Sequence, residues 1–323
     1  MNLSGRLSQD FSRDDKYLME TQSMNEKKGK LKLILNPTSK PLKILVFLQQ
    51  IIKQFNDEGY EVDVYRTQGN GDATEVARQT AISGEYETII AAGGDGTVNE
   101  VINGIIGYSI KLGLLPLGTS NVLMRTLNLP LQPLKAAKLI TQGYTHKIDV
   151  GKANGRYFAL MISCGYDAFA IEQTSMLAKK IIGKYAYVWA GLTKLYCYKP
   201  HRISLKIDGK DYPKTGIFVA ICNARSYGGD YQLCPEAKMD DGQLDILLVS
   251  SNSMMQLLYY AFRVILKLPL EYRDTIRPRA REIMLNATGR VPYQADGDIF
   301  GQLPVKVEVV PQAIEVIVAP PTN

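Results

Sequence analysis

The chain of 323 residues is poor in the side chains that most often carry acid–base and metal chemistry. Histidine occurs twice, at His146 and His201, in unremarkable settings. A Ser-His-Asp triad or a histidine-rich metal centre is therefore set aside. The four cysteines (Cys164, Cys197, Cys222 and Cys234) form no Cys-x-x-Cys pair and are too few to brace a chain this long. Reduced thiols in a cytoplasmic protein are the expectation. No apolar run approaches the roughly 18 residues of a membrane span, and no signal-peptide pattern opens the chain. Acid–base chemistry must then rest on carboxylates. What is present is an apolar content of 46%, a charged content of 22% and a net charge of +6, the composition of a globular protein with core enough for two domains. The positive charge suits an anionic substrate, a membrane surface or nucleic acid.

Residues 1–30 are polar, of mixed charge and without periodicity, and read as a mobile tail. From Leu31 to about 145, strand-like and helix-like patterns alternate. Lys32 to Asn36 is a strand closed by the turn Asn36-Pro37-Thr38-Ser39. Ile44, Phe47, Leu48, Ile51, Ile52 and Phe55 have helical spacing. Glu61 to Tyr65 alternates as a strand, Ala73 to Ala81 reads as a helix, and Thr88 to Ala92 and Leu112 to Leu117 read as strands. Short connections between alternating elements predict a Rossmann-like, doubly wound parallel sheet, whose ligands sit beyond the carboxyl ends of the strands. Asn36 to Ser39, Thr67, Gly93 to Thr97 and Gly118 to Asn121 all fall at such ends. From 146 to 309 strands dominate (Ile203 to Asp208, Gly216 to Cys222, Leu244 to Val249, Glu282 to Asn286 and Val305 to Val309), which predicts an antiparallel sandwich. Ile314 to Val318 is a further strand, and segment 310–323 is a candidate to rejoin the first domain.

The sequence Ala91-Ala92-Gly93-Gly94-Asp95-Gly96-Thr97-Val98-Asn99-Glu100 reads strand, glycine turn, helix, with Val98, Val101, Ile102, Ile105 and Ile106 on one helical face. Glycines let the backbone approach a ligand, and the free N–H groups of a helix start favour negative charge. Asp95 would repel phosphate unless a cation lay between them, so the turn suggests phosphate with Mg²⁺; a carboxylate that merely caps a helix is the plainer alternative. Cys234 to Gln243 contains an Asp240-Asp241-Gly242 turn, readable as a hairpin turn or as a cation site. Asp296-Gly297-Asp298 is either a simple turn or the support of a general base. Between Glu172 and Asp208 no acid occurs, while Lys179, Lys180, Lys184, Lys194, Lys199 and Arg202 are interleaved with Tyr185, Tyr187 and Trp189. That stretch reads as a solvated helix face or as a surface for an anionic membrane, at about 1 kcal/mol per cation near the lipid. Arg277, Arg279 and Arg281 would share one face of an extended stretch.

Taken in order, Gly93 to Glu100, Pro116-Leu117-Gly118-Thr119-Ser120-Asn121, Cys-Pro-x-Ala-x-x-x-Asp-Gly at 234–242 and Asp-Gly-Asp at 296–298 resemble the diacylglycerol kinase catalytic-domain family. That family includes the bacterial YegS-like lipid kinases and the sphingosine and ceramide kinases. The resemblance runs from residue 31 to the end. It implies a lipid kinase with an ATP-binding α/β domain over 31–145 and a lipid-substrate domain over 146–309. By resemblance, ATP is held by Asn36, Pro37, Thr38, Ser39, Thr67, Gly94, Asp95, Gly96, Thr97, Val98, Asn99, Glu100 and Thr119. A Mg²⁺ is held by Asp241 and the backbone carbonyls of Lys238 and Gln243. Asp298 stands where many relatives have glutamate as proton acceptor, and in some sphingosine kinases the residue at the place of Asp95 is the base instead. Lys40 departs from the glycine that many relatives carry. The partners implied are a membrane lipid and an anionic membrane surface touched peripherally from the cytoplasm, with a homodimer among the assemblies open. NAD kinases and phosphofructokinases share the Gly-Gly-Asp-Gly turn, and a silent lipid-binding module could keep the fold. The Leu-Gly-Thr-Ser-Asn turn and the Asp-Gly-Asp ending fit lipid kinases better. A nucleic-acid binder fits the charge and none of these motifs.

Overall fold

A computed structural model describes residues 28–37, 41–173, 198–227, 231–250, 254–266, 268, 275–276 and 278–320. Thr38, Ser39, Lys40, Arg277 and the basic, aromatic segment 179–194 lie outside them.

The first half alternates as its apolar periodicity predicts. The elements are β1 (Gly29–Leu35), α1 (Pro41–Asp57), β2 (Tyr60–Arg66), α2 (Asp72–Ser83), β3 (Thr88–Gly93), α3 (Asp95–Ile105), β4 (Lys111–Pro116), α4 (Val122–Thr126) and α5 (Pro133–Gln142). The four strands are parallel in the order β2-β1-β3-β4, with Leu31 opposite both Val62 and Thr88. The chain leaves β1 in one direction for β2 and returns on its other side as β3. The crevice at the carboxyl ends of β1 and β3 is thus the switch point where such sheets bind ligands. β3 is buried along its whole length, because helices cover both faces of the sheet. α2 and α3 pack closely enough that a Cβ on Gly104 would lie 2.4 Å from Thr74 O.

The second half comprises β5 (Thr145–Ala153), β6 (Arg156–Phe158), β7 (Met161–Cys164), α6 (Tyr166–Glu172), β8 (Ile203–Ile207), β9 (Lys210–Asp211), β10 (Phe218–Cys222), β11 (Ser226–Tyr227), β12 (Tyr231–Gln232), β13 (Leu244–Val249), α7 (Met254–Ile265), β14 (Thr275–Ile276), β15 (Arg279–Ala280), β16 (Glu282–Ala287), β17 (Pro292–Ala295), β18 (Asp298–Gln302) and β19 (Val305–Ile317). An antiparallel sheet runs β14-β13-β10-β7-β17-β18, with β15 also pairing β13. One of its faces (Ile162, Val219, Ile221, Ile246 and Leu248) meets Ile283, Leu285, Val305 and Val307 to form the sandwich core. The alternate residues Met161, Ala220, Cys222, Leu247 and Val249 join the core of the first half. This sheet is covered on both sides, so its strands are apolar throughout rather than alternating.

The last strand differs from expectation. Val305 to Val309 and Ile314 to Val318 read as two strands, yet one strand runs from Val305 to Ile317. Its early part pairs antiparallel with β16 through Val305 to Glu308, and its late part joins β4 in parallel through Glu315 and Val316. β5 follows it on the other side, with a register shift between Val310 and Ile314. Pro311, which has no N–H, and Gln312 at φ 48° fall in that shift, so the chain bulges there without ending. Among the described residues no helix is long and apolar enough to cross a membrane.

Candidate active site

Two glycine turns meet at the switch point. Gly93 ends β3, and Gly94, in extended conformation, precedes the first turn of α3 without a side-chain cap. Gly93 O accepts from Leu117 N and Gly118 N, each at 3.1 Å, which fastens the second turn to the first. A Cβ on Gly118 would stand 2.4 Å from Gly94 Cα, so the two backbones touch where only glycine fits. A Cβ on Gly96 would meet nothing within 4 Å among the described residues. Space and the N–H groups of a helix start thus coincide at the head of α3.

The β1 and β2 ends converge on the same rim. Asn36 N donates to Ala92 O at 3.0 Å, its Nδ2 donates to Thr97 Oγ1 at 3.0 Å, and Thr67 N donates to Leu35 O at 2.9 Å. Pro37 and Thr119 are exposed there. Val98 is in the core, so anything it offers a ligand is backbone. Glu100 turns away: its Oε1 accepts from Gly71 N at 3.1 Å and its carbonyl accepts from Thr74 Oγ1 at 3.0 Å, anchoring the start of α2. Asp95 is occupied too. Its Oδ1 accepts from Val122 N at 2.6 Å, so it caps the neighbouring helix α4 rather than its own. Burial pushes its carboxyl up, against the N–H groups of Leu123 and Val122 that pull it down. Arg125 Nε donates to Ser120 O at 2.9 Å, which brings a cation to the second glycine turn that the motifs did not single out.

Asn99 faces the other half. Its Nδ2 donates to Asp296 Oδ2 at 2.8 Å and to Tyr157 O at 3.2 Å, and Asn103, one turn on, exchanges bonds of 3.0 Å with the Tyr157 backbone. Asp296, at φ 49°, also accepts from Ala159 N at 2.7 Å, Leu160 N at 2.9 Å and Met161 N at 3.0 Å. Burial drives its carboxyl up to about 6 against those four donors. Asp95 and Asn99 are four residues apart on one helical face, a rise of about 6 Å. The Asp296-Gly297-Asp298 turn therefore sits one helical turn from the glycine turn. Asp298 opens β18 as an exposed residue. The carboxylate that ties the halves together is Asp296, and Asp298 is the exposed residue of the pair.

Behind that turn is a polar relay with no sequence signal beyond apolar neighbours. Gln294 Oε1 accepts from Gly297 N at 2.8 Å, Gln294 Nε2 donates to Ser163 Oγ, and Ser163 Oγ donates to Asp167 Oδ2. Ser163 and Gln294 are buried. Burial pushes the Asp167 carboxyl up to about 6, with the Ser163 bond opposing. The nearby Cys164 thiol and Tyr198 phenol are raised as well, by burial first and then by the Asp167 charge.

The acidic turn lies at a separate cleft of about 450 Å³, bordered by Asp149, Asp240, Asp241, Gly242, Arg281 and Gln312. Asp241 Oδ1 accepts from Gln243 N at 3.1 Å. Asp149, fully buried, accepts from Gly242 N at 2.7 Å and Gln312 N at 2.8 Å, and so joins β5, the acidic turn and the bulge of β19. Its only mark in the sequence is a lone acid in the apolar strand Ile148-Asp149-Val150. Arg279 Nε lies 3.1 Å from Asp245 Oδ1 and its Nη1 lies 3.6 Å from Asp241 Oδ2, so this cation serves the acidic turn. Asp245 Oδ2 is buried with no hydrogen-bond partner among the described residues. A hard-oxygen donor set next to an unsatisfied buried oxygen fits a divalent cation. Among the described residues no group of three His, Cys, Asp or Glu is placed to hold a metal ion.

Similarity to known proteins agrees with this arrangement. Residues 30–153 match the diacylglycerol kinase catalytic domain, and residues 160–318 match the YegS C-terminal NAD kinase beta sandwich-like domain. The diacylglycerol kinase of Staphylococcus carnosus is 31% identical over 287 residues, which cover 88% of this chain and 94% of that protein. The diacylglycerol kinase of Bacillus subtilis is 30% identical over 276 residues, 84% of this chain and 91% of that one. The crystal structure of a diacylglycerol kinase from Bacillus anthracis superposes with a TM-score of 0.71 at 25% identity, over 90% of this chain and 97% of that one. With both halves matched in order around one crevice, the chain belongs to the diacylglycerol kinase catalytic-domain family and is a lipid kinase.

Proposed function

We propose that this lipid kinase transfers the γ-phosphoryl of ATP to the primary hydroxyl of diacylglycerol or a closely related lipid, with Mg²⁺ bound. The observation that supports this most is the Asn99–Asp296 bond: the helix that starts at the glycine turn also carries the turn of Asp298. A phosphate donor and a proton acceptor then share one crevice.

In this reading the triphosphate lies against the backbone of Gly94 to Thr97, with Asn36, Thr67 and Thr119 on the rim and the N–H groups at the head of α3 aimed at the phosphates. Arg125 adds positive charge from the second turn. The lipid hydroxyl approaches from the β-rich half and Asp298 accepts its proton as the oxygen bonds to phosphorus and the ADP oxygen leaves. Asp296 and the Gln294–Ser163–Asp167 relay hold the turn of Asp298 in place, so catalysis comes from positioning and charge compensation. Asp241, with the carbonyls of Lys238 and Gln243, would hold the Mg²⁺, which there supplies positive charge to the acidic turn between the halves. The reaction belongs on the cytoplasmic side of a membrane, where ATP and a bilayer meet.

The test is to incubate the purified chain with γ-labelled ATP and a total lipid extract, with and without excess chelator, and to identify the labelled product. Labelled phosphatidate or a similar phospholipid, lost on chelation, is expected. Labelled NADP from added NAD in place of lipid overturns the acceptor, and full turnover in chelator overturns the Mg²⁺ requirement.

A further inference from the structure

Among the described residues, exposed large apolar side chains concentrate on one element. Eight are exposed among the described residues, and five of them (Met255, Tyr259, Phe262, Leu266 and Leu268) belong to α7 and its exit. Single exposed hydrophobics are ordinary, whereas a cluster marks a contact surface. Met255, Tyr259, Phe262 and Leu266 fall at i, i+4, i+7 and i+11, one stripe of a helix. Leu266 keeps that register, because its N–H still bonds Phe262 O at 3.0 Å. Met255 is 73% exposed and Phe262 58%, while Tyr260, on the other side, is 5% exposed and packed into the core.

Charge favours a lipid surface over a second protein. No Asp or Glu occurs from 246 to 270, and that stretch contains Arg263 and Lys267. Arg263 lies along the stripe, with Nη1 donating to Tyr259 Oη at 2.8 Å and the guanidinium 5.5 Å from the Tyr259 ring centroid. A cation beside an aromatic ring at the margin of an apolar stripe suits the boundary between acyl chains and anionic headgroups. Location agrees. α7 packs on β12, β12 pairs with β11, and β11 packs on α4, the helix capped by Asp95. The stripe is thus three elements from the glycine turns.

We propose that the Met255–Tyr259–Phe262–Leu266 stripe of α7 docks this lipid kinase onto an anionic bilayer, with the helix lying in the plane of the interface. The inference rests on the lipid-acceptor reading above, since an acceptor dissolved in a bilayer demands such a surface. The full chain is tested by flotation with phosphatidylcholine vesicles with and without phosphatidylglycerol. Expected are flotation with the anionic vesicles, a loss of roughly tenfold or more in Met255→Ser/Phe262→Ser with an unchanged thermal midpoint, and no loss in Ile82→Ser, an exposed apolar control on α2. Binding of the double variant like the unsubstituted chain overturns the proposal, as does equal binding to neutral vesicles. So does a dimer in sedimentation that the double variant dissociates, because a second copy then covers the stripe. Turnover of a short-chain diacylglycerol in detergent micelles reports on the kinase reading separately. Turnover without α7-dependent flotation sinks the docking alone, and α7-dependent flotation without turnover sinks the acceptor reading alone.

Discussion

Asn99 Nδ2 donates to Asp296 Oδ2 at 2.8 Å across 197 residues of sequence, and that bond joins the helix of the glycine turn to the last third of the chain. Asp296 is the more connected partner, with three backbone donors besides. Asp296→Ala strands those N–H groups and leaves an alanine at φ 49°. A loss of about 3 kcal/mol or more is expected from urea unfolding, against about 1 kcal/mol for Asn99→Ala, whose Asp296 partner keeps its other donors. Equal small losses would mean the bond is incidental.

The two glycine turns separate a steric requirement from a ligand requirement. Gly118→Ala forces a Cβ to within 2.4 Å of Gly94 Cα and should cost about 1–3 kcal/mol as well as nucleotide binding. A Cβ at Gly96 has no neighbour within 4 Å among the described residues and Ala is a better helix former in α3, so in Gly96→Ala the fold should hold or gain up to about 1 kcal/mol. If a triphosphate occupies that space, calorimetric titration with ATP will nonetheless show weaker binding. Undiminished ATP affinity in Gly96→Ala would move the phosphates elsewhere.

Asp298, exposed at the start of β18, offers a clean test of the proton acceptor. Asp298→Ala should lower kcat by roughly 10²–10⁴-fold while leaving the thermal midpoint within error. Near-normal turnover would return attention to Asp95, whose carboxylate is already engaged at the head of α4.

The relay behind that turn predicts a pH dependence. Burial raises the Asp167 carboxyl to about 6, so it binds its proton more tightly in the folded than in the unfolded chain. Its contribution to stability is greatest below the unfolded carboxylate range. That contribution is lost as pH rises from about 4 to about 6, at up to about 1.4 kcal/mol per pH unit. Asp167→Asn keeps the shape without the charge. Relative to the unsubstituted chain it should gain stability over that window and run parallel above it, as read from urea midpoints between pH 4 and 8. A constant difference across the whole range would mean that Asp167 is as ionised in the fold as out of it.

Local chemistry was readable from the sequence because its causes are local. Helical spacing at Val98, Val101, Ile102 and Ile105 put one face of α3 in the core, as found. Alternation of strand and helix predicted the parallel sheet, and glycine content marked both turns where a Cβ has no room. The strand count of the second half predicted its sandwich, though not that Ala220 and Leu247 would bury the outer face of one sheet against the first half. Pairings over more than a hundred residues were not readable. Which acid of Asp296-Gly297-Asp298 turns inward depends on where Asn99 and the Ala159 to Met161 backbone lie. The cap that Asp95 supplies to α4 depends on how two turns dock. The reach of β19 across both halves, and the place of Asp149 beneath it, follow from sheet packing. Sequence periodicity registers which face of an element avoids water. What that face meets, and which polar group must then be satisfied there, is settled only when distant elements close on one another.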